Sequence, residues 1–170
     1  MRQIDSRSRR HRDRDHYRSD SIPESPHTGP IPRDASWALA EGRRGGRPYV
    51  ARLRTDLKPL AGHPDYPVRL LTTWRIRPAT AGGLPSVEEE EAMADFESLL
   101  VPRLSASGVA VLTAVLTHNG ERSWLFYARD LDQAQHSLDV LAADFPISFV
   151  TEPDPAWERY LGVMRDLGLG

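Results

Sequence analysis

Apolar and polar side chains alternate through residues 67–77 (PVRLLTTWRIR). Val68, Leu70, Thr72, Trp74 and Ile76 share one face, and Arg69, Leu71, Thr73, Arg75 and Arg77 share the other. A two-residue period predicts a half-buried strand. Residues 109–117 (VAVLTAVLT) are apolar on both faces and rich in β-branched side chains, which predicts a short buried strand. His118-Asn119-Gly120 is a tight-turn signal. Residues 121–129 (ERSWLFYAR) return as a strand, with Trp124 and Phe126 on one face and Leu125 and Tyr127 on the other. Residues 146–151 (PISFVT) predict a last strand.

The period becomes helical after the loop 78–85. Ser86 with Glu89 forms a capping box, and Glu88 to Glu91 fall in the first turn, where the helix dipole favours negative charge. Met93, Phe96, Leu100 and Leu104 recur at helical spacing, with Pro102 expected to loosen the last turn. Asp130 and Gln133 form a second box, ahead of a stripe of Leu131, Ala134, Leu138 and Leu141. Residues 156–167 predict a short terminal helix, with Trp157 and Tyr160 docking it onto the domain. Near the other end, 36–41 and 47–54 flank Gly42-Arg43-Arg44-Gly45-Gly46 and read as a β-hairpin.

From residue 67 the order is β-α-β-β-α-β. The expected fold class is α+β: a ferredoxin-like core of four antiparallel strands with two helices on one face, preceded by a β-hairpin and followed by a short C-terminal helix. Strands 67–77 and 121–129 are expected at its centre. The opposite face starts out open, with Arg69 and Arg75 on it, and the hairpin, through Trp37 and Tyr49, is suited to cover it.

Residues 1–34 lack a hydrophobic period and contain prolines 23, 26, 30 and 32, which predicts a disordered Arg/Pro-rich tail ahead of a single domain at 35–170. The tail holds 8 Arg and 6 acids, net +2. The remainder holds 14 basic and 18 acidic residues, net −4. Arg7, Arg9, Arg10, Arg12 and Arg14 could touch RNA or an acidic partner, although Asp5, Asp13 and Asp15 dilute them. Lys58 is the sole lysine, a bias that reflects base composition rather than a nucleic-acid surface. The 170 residues contain no cysteine, which excludes disulfides and thiolate metal sites. No apolar run reaches the ~18–20 residues of a membrane helix, and none follows the twin Arg9-Arg10, so the expected location is the cytoplasm of a bacterium-like cell.

The familiar catalytic patterns do not occur. Gly82-Gly83 lacks the rest of any phosphate-binding loop, and there is no nucleophile elbow. His63, His118 and His136 are not at ligand spacing; His63 with Asp65 is at most half a site. No catalytic residue, metal or cofactor is expected. The residues of a candidate interaction surface are Arg69, Arg75, Arg77, Glu88, Glu89, Asn119, Glu121 and Arg122.

The runs WALAEG, RPYVARL, GLPSVEEEEAMADFESLL, LTHNGERSWLFYARD and FVTEPDPAWERYL, in that order and spacing, together resemble the bacterial domain of unknown function 695 over residues 36–161. The resemblance implies no established activity. Relatives of this type are similar in fold to the protein regulator of ribonuclease E, by analogy of fold alone.

Three functional expectations follow. The first is a non-catalytic interaction or regulatory domain with a protein partner. The second is an RNA-associated module or ribonuclease regulator, stacking bases on strand 121–129 and holding phosphates with Arg69, Arg75 and Arg77. The third is an enzyme with an unrecognised site, which a pocket gathering Arg75, Glu89 and His118 would favour. No membrane partner is expected, and a homodimer through an edge strand or open face is compatible with the fold.

Overall fold

The computed structural model describes residues 28–77, 82–105 and 108–170. Most of the expected tail, including its five candidate RNA-contacting arginines, lies outside the described residues, as do 78–81 of the first loop.

The alternating segments form strands β1 (Trp37–Arg44), β2 (Arg47–Arg54), β3 (Val68–Arg75), β4 (Ala110–His118), β5 (Glu121–Ala128) and β6 (Ile147–Pro153). Helices are α1 (Val87–Ser105), α2 (Leu131–Ala142) and α3 (Glu158–Asp166). The protein is therefore α+β, with the six strands of the described residues in one antiparallel sheet of order β1-β2-β4-β5-β3-β6.

The sheet thus has six strands, not the expected four. The hairpin does not lie across an open face. It extends the sheet, with β2 running from Tyr49↔His118 to Leu53↔Ala114 beside β4. This pairs the outward backbone groups of β4, which is too buried on both faces to leave them to water. The middle of the sheet consequently moves from β5–β3 to β4–β5.

The alternation on β5 divides two cores. Trp124, Phe126 and Ala128 pack with Met93, Phe96, Leu100 and Leu104 of α1 and Ala134, Leu138 and Leu141 of α2. Leu125 and Tyr127 face the other way, into a second core with Leu57, Leu60, Tyr66, Trp157, Tyr160, Val163 and Met164. So α1 and α2 share one face, as expected, while α3 and the segment after β2 cover the centre of the other.

Local chemistry fixes the ends of these elements. Gly45 and Gly46 both adopt positive φ, which a two-residue hairpin turn requires. Ser86 Oγ accepts from the Glu89 amide at 3.2 Å, giving half of the expected capping box. The Glu89 carboxylate turns elsewhere, accepting from Trp74 Nε1 and from the Arg77 amide, each at 3.0 Å. Asp130 caps α2 through the Gln133 amide at 3.0 Å. α1 continues three residues beyond Pro102 to Ser105, so the proline does not end it. β4 carries a β-bulge between Leu112 and Ala114, where the extra residue, Thr113, donates through Oγ1 to Leu125 O at 3.0 Å. The loop leaving β3 is clipped to the β4–β5 turn: Ile76 N donates to Gly120 O at 2.9 Å, and Gly120 N to Gly83 O at 3.1 Å.

Candidate functional site

A six-stranded sheet is about 24 Å wide, whereas two packed helices cover about 20 Å at most. The deficit falls at the β1–β2 end. There α1 forms one wall of a groove of about 620 Å³, with Val50, Arg52, Val115 and Thr117 on its floor and Trp37 and Leu39 at its outer rim. A second depression, lined by Leu84, Pro85 and Val87, shares Val50, Glu90, Thr117 and Arg122 with the first and lengthens it along α1.

The groove is amphipathic. Leu39 is 67% exposed and Trp37 39%; the other three tryptophans are buried. Four of its charges, on Arg52, Glu90, Glu97 and Arg122, are matched internally, and Glu91 of the second depression adds one more. Arg122 makes a two-pronged pair with Glu90 at 2.8 Å on both prongs and donates through Nε to Thr117 Oγ1 at 2.8 Å. Arg52 pairs with Glu97, and its guanidinium lies 5.1 Å from the centre of the Trp37 ring. The second oxygen of Glu97 accepts from the buried Trp124 Nε1 at 2.8 Å. Such a surface suits apolar side chains framed by polar contacts rather than a strongly charged ligand.

The expected site residues are partly brought together. Arg75 and Glu121 are cross-strand partners, paired at 3.3 Å. Asn119 adopts positive φ in the adjoining turn and accepts from Arg47. Arg77 and Glu89 meet through backbone amide and carboxylate, and Glu88 is exposed in the first turn of α1. Its own amide and the Ser86 hydroxyl hold its carboxyl below the ordinary range. These residues gather at one end of the sheet, and Arg122 alone of the eight lines the groove. Arg69 is at the far end of β3, paired with Glu152 across β6.

The histidines are engaged separately. His118 Nδ1 is 3.0 Å from Pro48 O, and its ring meets the edge of Tyr49, whose phenol burial pushes up. His63 accepts at Nδ1 from the Asp65 amide at 3.1 Å and lies 3.2 Å from Gly29 O at Nε2. Arg75, Glu89 and His118 thus do not converge. Among the described residues no group of three His, Asp or Glu side chains is placed to hold a metal.

Leu39, Val50, Arg52 and Glu97 were not among the expected site residues. A signal was present: Trp37, Leu39 and Glu41 alternate with two alanines and a glycine, so one face of β1 is large and the other small. Trp37 and Tyr49, the two hairpin aromatics expected to help cover the sheet, do not act together. Pairing Trp37↔Arg54 and Gly42↔Tyr49 puts them on opposite faces.

The architecture and groove define a class: a small α+β domain whose antiparallel sheet is wider than its helical layer. Residues 35–164 match a family of unknown function (DUF695), and the chain belongs to it. Neither the curated proteins nor the solved structures gave a match.

Proposed function

We propose that the chain is a non-catalytic interaction domain that binds an amphipathic helix of a protein partner in the groove between α1 and the β1–β2 hairpin. We read strands β4-β5-β3-β6 with α1 and α2 as a ferredoxin-like unit, and the hairpin as the addition that makes the groove. The carrying observation is the exposure of Trp37 and Leu39 over a sheet surface that neither α1 nor α2 covers. A helix is the element that fits, because it is what covers the rest of that face. The internally paired Arg52–Glu97 and Arg122–Glu90 would frame it with polar groups while demanding no opposite charge. Among the described residues no helix is long and apolar enough to cross a membrane, and a cytoplasmic location is part of the proposal.

The RNA reading loses its platform. Trp124, Leu125, Phe126 and Tyr127 are all fully buried, so none offers a face to a base.

The test is selection of helical peptides from a displayed library on the full chain. Enriched peptides should carry apolar residues at i, i+3 or i+4, and i+7, shift the emission of Trp37, and lose binding on Leu39→Ser but not on Arg75→Ala. Absence of enrichment, or binding indifferent to Leu39→Ser, would overturn the reading.

A further inference from the structure

We infer that β1 is a self-association edge, through which two copies of this chain join their sheets antiparallel about a two-fold axis at Ala40.

The hairpin register fixes which way each residue of β1 directs its backbone groups. The Thr55 amide donates to Ser36 O at 2.9 Å, one step beyond the Trp37↔Arg54 pair. In an antiparallel ladder, hydrogen-bonded pairs alternate with non-bonded ones. Ser36, Ala38, Ala40, Gly42 and Arg44 therefore direct their backbone groups toward β2. Trp37, Leu39, Glu41 and Arg43 direct theirs outward, and β1 is an edge of the sheet. An edge of this kind is a template for another strand.

The two edges are guarded differently. β6 follows Pro146 and ends on Pro153, which blunts it. β1 has no proline along its length, and Ala38, Ala40 and Gly42 leave one of its faces free of bulk.

Sequence selects the partner and the register. Antiparallel pairing of β1 with itself must match outward-facing residues. With Ala40 opposite Ala40 of the partner subunit, Trp37 faces the partner's Arg43 and Leu39 faces the partner's Glu41. By symmetry this makes four bonded pairs exchanging two bonds each, about eight hydrogen bonds in all. No like charges are opposed, and the partner's Arg43 lies beside the Trp37 ring. Sliding one way opposes Glu41 to itself, which is destabilising. Sliding the other way opposes Trp37 to the partner's Glu41 and drops one bonded pair. The strand thus complements a second copy of itself. The interface would lie near the ~1,000 Å² lower bound for specific association, so a micromolar dimer is expected. It would also set the two grooves side by side on one continuous sheet.

Sedimentation velocity on the full chain over roughly 1–500 μM brackets such an affinity. Leu39→Glu and Leu39→Lys remove the same apolar group, but they place opposite charges against the partner's Glu41. Leu39→Lys should dimerise at least about tenfold more tightly than Leu39→Glu. In the unmodified chain, amide exchange at Trp37, Leu39, Glu41 and Arg43 should slow with rising concentration, while exchange at Ala38, Ala40 and Gly42 should not respond. A monomer throughout the range, equal behaviour of the two Leu39 variants, or concentration-dependent protection elsewhere would overturn the inference. None of these results bears on peptide binding at the groove, which is read in the separate selection.

Discussion

Tyr127 and Asp154 are joined by a 2.6 Å hydrogen bond in which the phenol donates to Oδ2 of the carboxylate. The same carboxylate accepts from the amides of Glu158 at 2.8 Å and Arg159 at 3.0 Å, so it also caps α3. Between the two, Trp157 sits at φ 56°, a left-handed conformation that costs a non-glycine residue energy. It is held by a parallel stack on Tyr127, 4.3 Å between ring centres, and by donation from Nε1 to Tyr66 O at 2.8 Å. One buried phenol therefore links the sheet, the cap and the strained residue that docks α3.

Asp154→Asn should destabilise the fold by about 1–3 kcal/mol, the range for a lost charge-assisted bond set. Partial burial raises the Asp154 carboxyl, but the Tyr127 hydroxyl, the Arg159 and Glu158 amides and Arg69 outweigh it, so its pKa is depressed. Its contribution is then fully present above the unfolded value near 4 and is lost as pH falls through the lower folded value. Urea unfolding at a series of acid pH values should show a shallower decline in the variant.

The alkaline side has the opposite sign. Burial pushes the phenols of Tyr127 and Tyr160 well above the ordinary tyrosine range; Asp154 adds to the first and Asp56 to the second. Their contribution is complete below about pH 10 and is lost as pH rises from there toward the folded values. Absorbance titration at 295 nm should show two tyrosines ionising only as the circular dichroism collapses. Tyr160→Phe should lessen that alkaline loss, at the cost of the 2.6 Å bond to Arg54 O.

Glu97→Ala should cost about 1–3 kcal/mol, because it leaves the buried Trp124 indole N–H without its acceptor. Glu97→Gln keeps a carbonyl for that N–H and should recover most of the loss. Denaturant midpoints at unchanged slope are the measurement.

Gly83→Ala should be clearly worse than Gly45→Ala. Both glycines have positive φ, which alone costs alanine about 1 kcal/mol. At Gly45 an added Cβ meets open space, whereas at Gly83 it would come 3.0 Å from the Gly120 nitrogen. A thermal melt of the two variants side by side would reveal whether the backbone clip matters.

Much of the fold was legible because its elements are driven by local burial. β3 alternates cleanly, the Asp130 cap is where the box placed it, and Trp157 and Tyr160 dock the last helix. What escaped was set by partners distant in sequence. Nothing local to Arg47–Arg54 says that it pairs with β4 rather than folding over a face. The cover of the second face was misassigned to the hairpin for the same reason, since the α3 residues and the segment holding Leu57 and Tyr66 that do cover it arrive from opposite ends of the domain. The Glu88–Glu91 run was read as a first turn favoured by the helix dipole, and two of its members prove to be anchors, Glu89 for Trp74 and Glu90 for Arg122. Seven of the eight expected site residues are charged, and the eighth, Asn119, is a turn residue. The groove instead rests on uncharged Trp37, Leu39 and Val50, whose exposure depends on how many helices cover the sheet.

The bulge at Thr113 bears on how relatives should be aligned. Leu112 and Val115 lie on the same side of β4 although three residues apart, because Thr113 is the surplus residue. A chain lacking that single residue would keep every pairing from Ala114 to His118 and the groove floor with it. Loss of a residue further along the strand would instead reverse the facing of all that follow. A one-residue gap inside this strand therefore belongs at the bulge, and length variation there is compatible with an unaltered groove.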